Sequence, residues 1–558
     1  MHLNGLERMV MWRPFIIDLW DARLQRWQPS SFTMEVPATG KTDAAVLEAV
    51  VWYYLVGENR RTRIGYENEE PTAYEVFKQR IVLRGEGTMN KRDLVIIGGG
   101  AGGLVVASVA SQLGLKVTLI EKNEKLGGDC LHTGCVPSKT LIHAAKVASL
   151  MRRGGEFGLD PLAPVVDLGK VNDHVQSVID QIQVHDDPER FRAYGCEVLF
   201  GQAAFVDSHT VRVNDRQIRA RRLVVATGST PLVPPIEGLE QAGYITNENL
   251  FSLRDLPGRL VVLGGGPIGL EMAQALARLG SRVTVVERLP HLLPQEDPHI
   301  ADALRDLLLD EGLSVHTSTS AERVSRQGDT RIVECSGGLK VEADLILVAA
   351  GRRPGVAGLG LEAAGIEYGA QGIKVDRRLR TSQKHVYACG DVCGPYPFTH
   401  MAEYQAGIVI SNAVFRFPKK ADYRVVPWVT YTDPELARVG LTEQQARDQG
   451  IEPTVLHFPF RDIDRALAEV EPHGMSKFIT HKGRLLGATL LGPHAGELIH
   501  EVVLAMKTGI KIGELSATIH AYPTLAQIHR RTVNTLYGKR LFSAATRGLV
   551  RWVNRLIP

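Results

Sequence analysis

Short apolar runs that end on glycine dominate the middle of the chain. Asp93-Leu94-Val95-Ile96-Ile97 meets Gly98, and residues 260–263 meet Gly264. Residues 223–229 and 345–354 follow the same form, and Val386-Tyr387-Ala388-Cys389 stops at Gly390-Asp391. Runs this short and this apolar predict parallel strands covered on both faces. Residues 116–120 and 282–286 predict second strands, reaching Glu121 and Glu287, with small and apolar helical stretches before them. After about residue 424 the pattern changes. Residues 477–479 and 485–491 read as strands, and helices start near Ala495 and Leu525. The expected fold is α/β, with two Rossmann-like dinucleotide-binding domains and a C-terminal α+β domain. In residues 1–88, 15–27 and 31–36 are expected to pair as strands. Residues 43–55 show apolar positions at helical spacing, giving a small α/β appendage. Met89 stands directly before a complete domain opening, so initiation there is an alternative reading of that extension.

At 558 residues the chain exceeds a single core, and two to four domains are expected. Of the six cysteines, 130, 135, 196, 335, 389 and 393, only the first pair has an informative setting, so no disulfide framework is expected. Arg13 and Asp18 interrupt the apolar patches around residues 9–20, which read as neither a signal peptide nor a span. A cytoplasmic location is the resulting expectation. The net charge of +3 hides a basic end: Arg530, Arg531, Lys539, Arg540, Arg547, Arg551 and Arg555 have no acid among them. The body is therefore mildly acidic, and with no nucleic-acid motif present no nucleic-acid partner is expected.

Two stretches carry the binding chemistry. Gly98-Gly99-Gly100-Ala101-Gly102-Gly103 lies between a strand and a helix, and the next strand ends in Glu121. Gly98 permits the tight turn, Gly100 lets the backbone approach a pyrophosphate, and Gly103 lets helix and strand pack closely. The helix N-terminus then faces an anion, and Glu121 is placed to accept from a ribose. Gly264-Gly265-Gly266-Pro267-Ile268-Gly269 and Glu287 repeat the unit, implying a second dinucleotide. Cys130 and Cys135 lie in a Gly-rich approach to a helix, where a thiolate is favoured. Alone, the pair is redox-active or metal-binding. No second Cys/His pair at ligand spacing stands out, so no metal site is expected. With a dinucleotide unit on either side, the pair implies electron relay between two cofactors and a dithiol.

These residues resemble the pyridine nucleotide–disulfide oxidoreductases, the group of dihydrolipoamide dehydrogenase, glutathione reductase and mercuric reductase. The resemblance covers residues 92–530 and is most like mercuric reductase-like proteins at Phe398-Thr399-His400-Met401-Ala402-Glu403-Tyr404-Gln405. It implies that Gly98, Gly100, Gly103 and Glu121 hold the ADP half of FAD, with Thr227, Gly228 and Ser229 lining it. It implies that Asp391 binds the ribityl chain and that Pro397, Phe398, Thr399 and His400 lie near the flavin ring. Cys130 becomes the interchange thiol and Cys135 the charge-transfer thiol, with Lys139 by the flavin and paired to Glu271. Gly264, Gly266, Gly269, Glu271, Glu287 and Gly351 would bind the nicotinamide cofactor. Glu287 favours NADH over NADPH, since a carboxylate repels a 2′-phosphate, while Arg288 beside it softens that choice. The implied domains are an extension of unknown role (1–88), FAD-binding parts (89–257 and 376–423) and an NAD(P)-binding domain (258–375). A dimerisation domain (424–535) and a basic amphipathic tail (536–558) complete the chain, as a homodimer.

The departures concern the electron acceptor. Disulfide reductases of the group have His-x-His-Pro-Thr with a glutamate four residues after the proline; here the run is His520-Ala521-Tyr522-Pro523-Thr524-Leu525-Ala526-Gln527. Tyr522 replaces the base, and a phenol is a poor general base at neutral pH. Tyrosine there is the mercuric reductase pattern, beside the metal path. The terminal cysteine pair of those enzymes has no counterpart after Cys393. His520 is expected to be a structural hydrogen-bonder, and Cys389 and Cys393 ordinary buried thiols. The expected activity is an FAD-dependent oxidoreductase passing electrons from NAD(P)H through Cys135 and Cys130 to a small disulfide or a thiol-reactive metal ion. Dihydrolipoyl dehydrogenase and a membrane-associated NADH:quinone oxidoreductase are the alternatives, and a flavoprotein redox sensor is disfavoured by the intact fingerprints. In the tail, Leu541, Ala545, Leu549, Val553 and Leu556 recur at helical spacing between basic residues. The helix is expected either to pack on the dimer or to touch an anionic inner-membrane surface peripherally.

Overall fold

The computed structural model describes residues 44–54, 73–84 and 91–556, which fall into two units divided after Lys91. In the first unit β1 (Ala44–Tyr54) pairs antiparallel with β2 (Ala73–Arg84), Ala44 opposite Arg84 and Tyr54 opposite Ala73. The helix expected over 43–55 is thus a strand. The run is almost wholly apolar, so helical spacing discriminates little, while Val46, Val50, Val51, Trp52, Tyr53 and Tyr54 are residue types that suit a pleated ribbon. The strands expected at 15–27 and 31–36 lie outside the described residues.

The second unit opens with β3 (Arg92–Ile97), α1 (Ala101–Gln112) and β4 (Val117–Glu121). Leu94 to Ile97 are fully buried, as a central parallel strand requires. α2 (Cys135–Arg152) follows, then β5 (Cys196–Phe200) and β6 (Arg216–Val225). The parallel order is β5-β4-β3-β6, with Leu94 opposite Val117 and Ile97 opposite Val225.

The second sheet repeats this frame. β7 (Arg259–Leu263), α3 (Pro267–Leu279) and β8 (Arg282–Val286) lead to β9 (Ser314–His316) and β10 (Leu345–Val348), ordered β9-β8-β7-β10. The chain then returns to the first sheet, where β11 (Val386–Ala388) pairs in parallel with β6, Val386 opposite Leu223. α4 (Thr399–Val409) packs back on α1.

The C-terminal sheet is antiparallel: β12 (Pro427–Thr430), β13 (Glu435–Gly440), β14 (Thr454–Pro459), β15 (Met475–His481) and β16 (Arg484–Gly492), in the order β12-β13-β16-β15-β14. α5 (Ala495–Thr508) buries Ile499, Val502 and Ala505 against it, and α6 (Gln527–Leu541) adds Val533 to the same core. α7 (Ala544–Leu556) has no buried residue. Among the described residues, no helix is long and apolar enough to cross a membrane.

Candidate active site

One cleft of about 2680 Å³ runs between the two parallel sheets and is lined by both glycine-rich turns, Cys130, Cys135, Lys139, Glu271, Asp391 and Tyr431. In the first turn Gly98 has φ +109°, and a Cβ there would stand 2.3 Å from the Ala226 carbonyl oxygen. A Cβ on Gly103 would stand 1.9 Å from the Gly98 oxygen, so only glycine lets α1 pack this close to β3. Gly100 begins α1 without a side-chain cap, and no acid occupies its first turn. The free N–H groups there face the cleft, a donor set suited to a pyrophosphate. Glu121 is buried and accepts from Gly99 N at 2.6 Å and Asn123 N at 2.8 Å.

The second turn reproduces each feature. Gly264 has φ +119°, and a Cβ on Gly269 would stand 2.1 Å from the Gly264 oxygen. Gly266 caps α3 with backbone alone, and a Cβ there would meet nothing within 4 Å, leaving room for a ligand. Glu287 accepts from Gly265 N and Leu289 N, both at 2.7 Å. The two cradles fit two dinucleotides. Gly351 lines the same cleft, and Arg288 beside Glu287 is exposed to it.

Cys130 sits on the one-turn helix Gly128–His132, and Cys135 opens α2. Both are free thiols, and Cys135 Sγ lies 3.3 Å from Thr399 Oγ1. A hydrogen bond from Cys130, helped by Thr399 and by the positive charge of Lys139, brings the Cys135 thiol down to about 6 against the opposing effect of burial. Cys130 moves the other way, because it donates to Cys135, is partly buried, and faces negative charge on Cys135 and Asp129. The pair therefore divides its proton unequally at neutral pH: Cys135 is thiolate and Cys130 is thiol.

Lys139, one turn into α2, places Nζ 2.8 Å from Glu271 Oε2 and 3.3 Å from Ser138 Oγ. Its ammonium stands 4.3 Å from the centroid of the Tyr431 ring, a cation–π distance. Glu271, buried on α3, accepts from Tyr431 N at 2.9 Å through its other oxygen. Side chains from both repeated units and from the segment after β12 thus meet at one charge.

Asp391 accepts from Ser229 Oγ at 2.6 Å, and burial holds its carboxyl above the usual range. Arg352 reaches Ser229 Oγ at 2.7 Å and Asp129 at 2.9 Å, tying the one-turn helix that carries Cys130 to this wall. Thr227 Oγ1 donates to Gly355 O at 2.7 Å, and Gly228 O accepts from Gly355 N at 2.9 Å, so that segment secures the wall. Pro397 lines the cleft, and Phe398 stacks between His400 (5.4 Å) and Trp428 (6.0 Å). Burial lowers the His400 pKa, and its Nε2 lies 2.9 Å from Pro427 O.

Of the expected catalytic side chains, Cys130, Cys135, Lys139 and Glu271 share the cleft, and Tyr522 does not. Tyr522 is 69% exposed and donates to Asp464 Oδ2 at 2.9 Å, a bond that raises its phenol. His520 spends both ring nitrogens locally, on Thr518 O and Glu501, each at 3.0 Å. Cys389 and Cys393 are buried, and desolvation pushes Cys389 up to about 12. Among the described residues no group of three metal-ligating side chains occurs. Sequence reasoning missed Tyr431, Trp428 and Arg352. The aromatics belong to a distant sheet, and Arg352, inside the Gly-Arg-Arg-Pro run, was the one with a local signal.

Comparison with known proteins agrees with this geometry. A family model described as pyridine nucleotide-disulphide oxidoreductase matches residues 92–406, and its dimerisation domain matches residues 426–532. The chain is similar to a mercuric reductase of Bacillus cereus, 36% identical over 83% of this chain and 74% of that one. It is also similar to a dihydrolipoyl dehydrogenase of Thermus scotoductus, 38% identical over 80% of this chain and 100% of that one. Among solved structures, the Cu(II) complex of the HOCl-induced flavoprotein disulfide reductase RclA from Escherichia coli superposes with a TM-score of 0.73. It is 31% identical and covers 80% of this chain and 100% of that one.

Proposed function

Because the chain belongs to the pyridine nucleotide-disulphide oxidoreductases, we propose that it oxidises NADH and delivers two electrons through Cys135 and Cys130 to a thiol-reactive metal ion, with small disulfides as slower acceptors. Bound FAD supplies the hydride acceptor that no side chain offers. The Gly98–Gly103 turn and the α1 N-terminus hold its pyrophosphate, Asp391 is placed for the ribityl hydroxyls, and the Gly264–Gly269 turn holds the nicotinamide dinucleotide. Lys139, oriented by Glu271, keeps a fixed positive charge where electron density arrives. Cys135, the thiolate of the pair, would hold negative charge against the flavin, and Cys130 would present its sulfur to the acceptor. With mercury the balance is NADH and Hg(II) giving NAD⁺, H⁺ and Hg(0); with a disulfide, NADH, H⁺ and the disulfide give NAD⁺ and two thiols.

The observation that carries the metal reading is Tyr522 standing where the group's disulfide reductases have their acid/base histidine. A disulfide acceptor releases a thiolate that needs a proton from a group titrating near neutrality, and Asp464 moves the Tyr522 phenol further from that range. A metal acceptor needs no such proton, and soft ions suit a thiolate pair. The relatives named above include a mercuric reductase and a protein captured with Cu(II), which supports the same acceptor class. Glu287 supports NADH, since a 2′-phosphate would face its buried carboxylate. Cycling of such a dithiol suits the reducing cytoplasm, and the matched dimerisation domain supports a homodimer.

Steady-state turnover with Hg(II), Cu(II), lipoamide, glutathione disulfide and a quinone, in wild type and Cys130→Ser, tests this reading. Metal turnover should exceed disulfide turnover and fall in the variant. Unchanged turnover with every acceptor in Cys130→Ser would discard it in favour of direct reduction at the flavin.

A further inference from the structure

We infer that α7 is a docking helix for anionic phospholipid bilayers. At about 100° per residue, Ala545, Leu549, Trp552, Val553 and Leu556 share one arc of the helix, and Arg547, Arg551 and Arg555 lie on the opposite arc. The apolar arc has no cover among the described residues: Leu549 is 57% exposed, and Trp552 and Leu556 are each 60% exposed. Phe542, just before the helix, is exposed too. The preceding α6 behaves differently, with Ile528 and Val533 buried in the domain core. Ordinary packing therefore ends inside α6, and α7 continues as an exposed amphipathic rod.

Charge selects the occupant. No Asp or Glu follows Glu514, while seven Arg and Lys residues follow Ile528. An anionic lipid surface complements this distribution. A second copy of the helix does not, because pairing through the apolar arc would leave both sets of three arginines on the outer faces with no counter-charge. Thirteen residues span about 20 Å, less than a bilayer core of about 30 Å, so the helix lies in the interface instead of crossing it. Trp552 on the apolar arc has the amphipathic ring favoured at headgroup depth. The inference does not depend on which acceptor the dithiol serves.

The test uses the full-length FAD-loaded protein, sedimented with vesicles of phosphatidylcholine alone or with about one-third phosphatidylglycerol. The protein should pellet with the anionic vesicles only and be stripped by high salt. Neutralising Arg547, Arg551 and Arg555 together to Gln should weaken partition about 100-fold, roughly fivefold per arginine. The pair Leu549→Ser and Trp552→Ser should abolish pelleting. NADH-dependent ferricyanide reduction and flavin content should be unchanged in both variants, which shows that they fold. Absence of pelleting with anionic vesicles overturns the inference, as does equal pelleting with neutral ones. A change of oligomeric state in the Ser variant, seen by light scattering, also overturns it and assigns the arc to a second copy.

Discussion

The two glycine-rich units are built alike and put to different use. In both, a glycine at positive φ lets the turn close, a second glycine admits the helix, and a buried glutamate takes two backbone N–H groups. They diverge beyond the second strand. β4 leads to the one-turn helix that carries Cys130 and to α2, opened by Cys135, while the later unit supplies no thiol to the cleft and contributes Glu271 from its helix. Lys139 of the first unit and Glu271 of the second form one ion pair at 2.8 Å. Repetition supplies binding, and the chemistry arises at the seam between the copies.

The sharpest way to break the symmetry is to make one substitution twice. Gly103→Ala and Gly269→Ala each drive a methyl into a carbonyl oxygen of their own turn. The first should yield protein without flavin and without any turnover. The second should keep its visible flavin spectrum and raise KM for NADH by at least about tenfold. Equal flavin loss in both would mean that the units are not functionally distinct.

Next come the thiols. Cys135→Ser should abolish the long-wavelength charge-transfer absorbance on anaerobic NADH titration, and Cys130→Ser should retain it. Both should reduce metal turnover, on the order of a thousandfold. Retention of the band in Cys135→Ser would exchange the roles assigned to the two sulfurs.

The pH dependence follows from the lowered Cys135 value. Iodoacetamide labelling of Cys135 should rise with a midpoint near pH 6, against an ordinary thiol value of 9.0. A depressed thiol contributes stability that is full above 9.0, shrinks as pH falls, and is gone below about 6. Lys139→Met removes a positive charge and should move the labelling midpoint upward. Glu271→Gln frees the ammonium from its orienting partner and should slow stopped-flow flavin reduction by roughly tenfold. A midpoint unmoved in Lys139→Met would show that Cys130 and Thr399 alone hold the thiolate. The smallest effect is expected from Tyr522→His, a gain of about two- to fivefold in lipoamide turnover with Hg(II) turnover unchanged.

Much of this site was legible because glycine, cysteine and the paired acids act through local geometry. Gly98, Gly103, Gly264 and Gly269 announce the turns, and Glu121 and Glu287 follow at a fixed distance in the chain. The Lys139–Glu271 contact came from resemblance, since no local pattern joins residues 132 positions apart. Tyr431 and Trp428 stayed hidden for the same reason. They reach the cleft through a sheet whose strands are ordinary in sequence, and their role exists only once the domains meet. The strand at Ala44–Tyr54 was misread for a different cause: an almost continuous apolar run satisfies helical and extended spacing equally, and its partner, Ala73–Arg84, is remote in the chain.

The glutamates that close the two turns have a thermodynamic consequence. Each turn is cross-braced by its own carboxylate, through Gly99 in the first and Gly265 in the second. The conformational entropy of shaping these loops is therefore lost during folding, not at the moment of docking. A brace internal to the turn spares affinity the ordering cost that an unbraced glycine loop would impose.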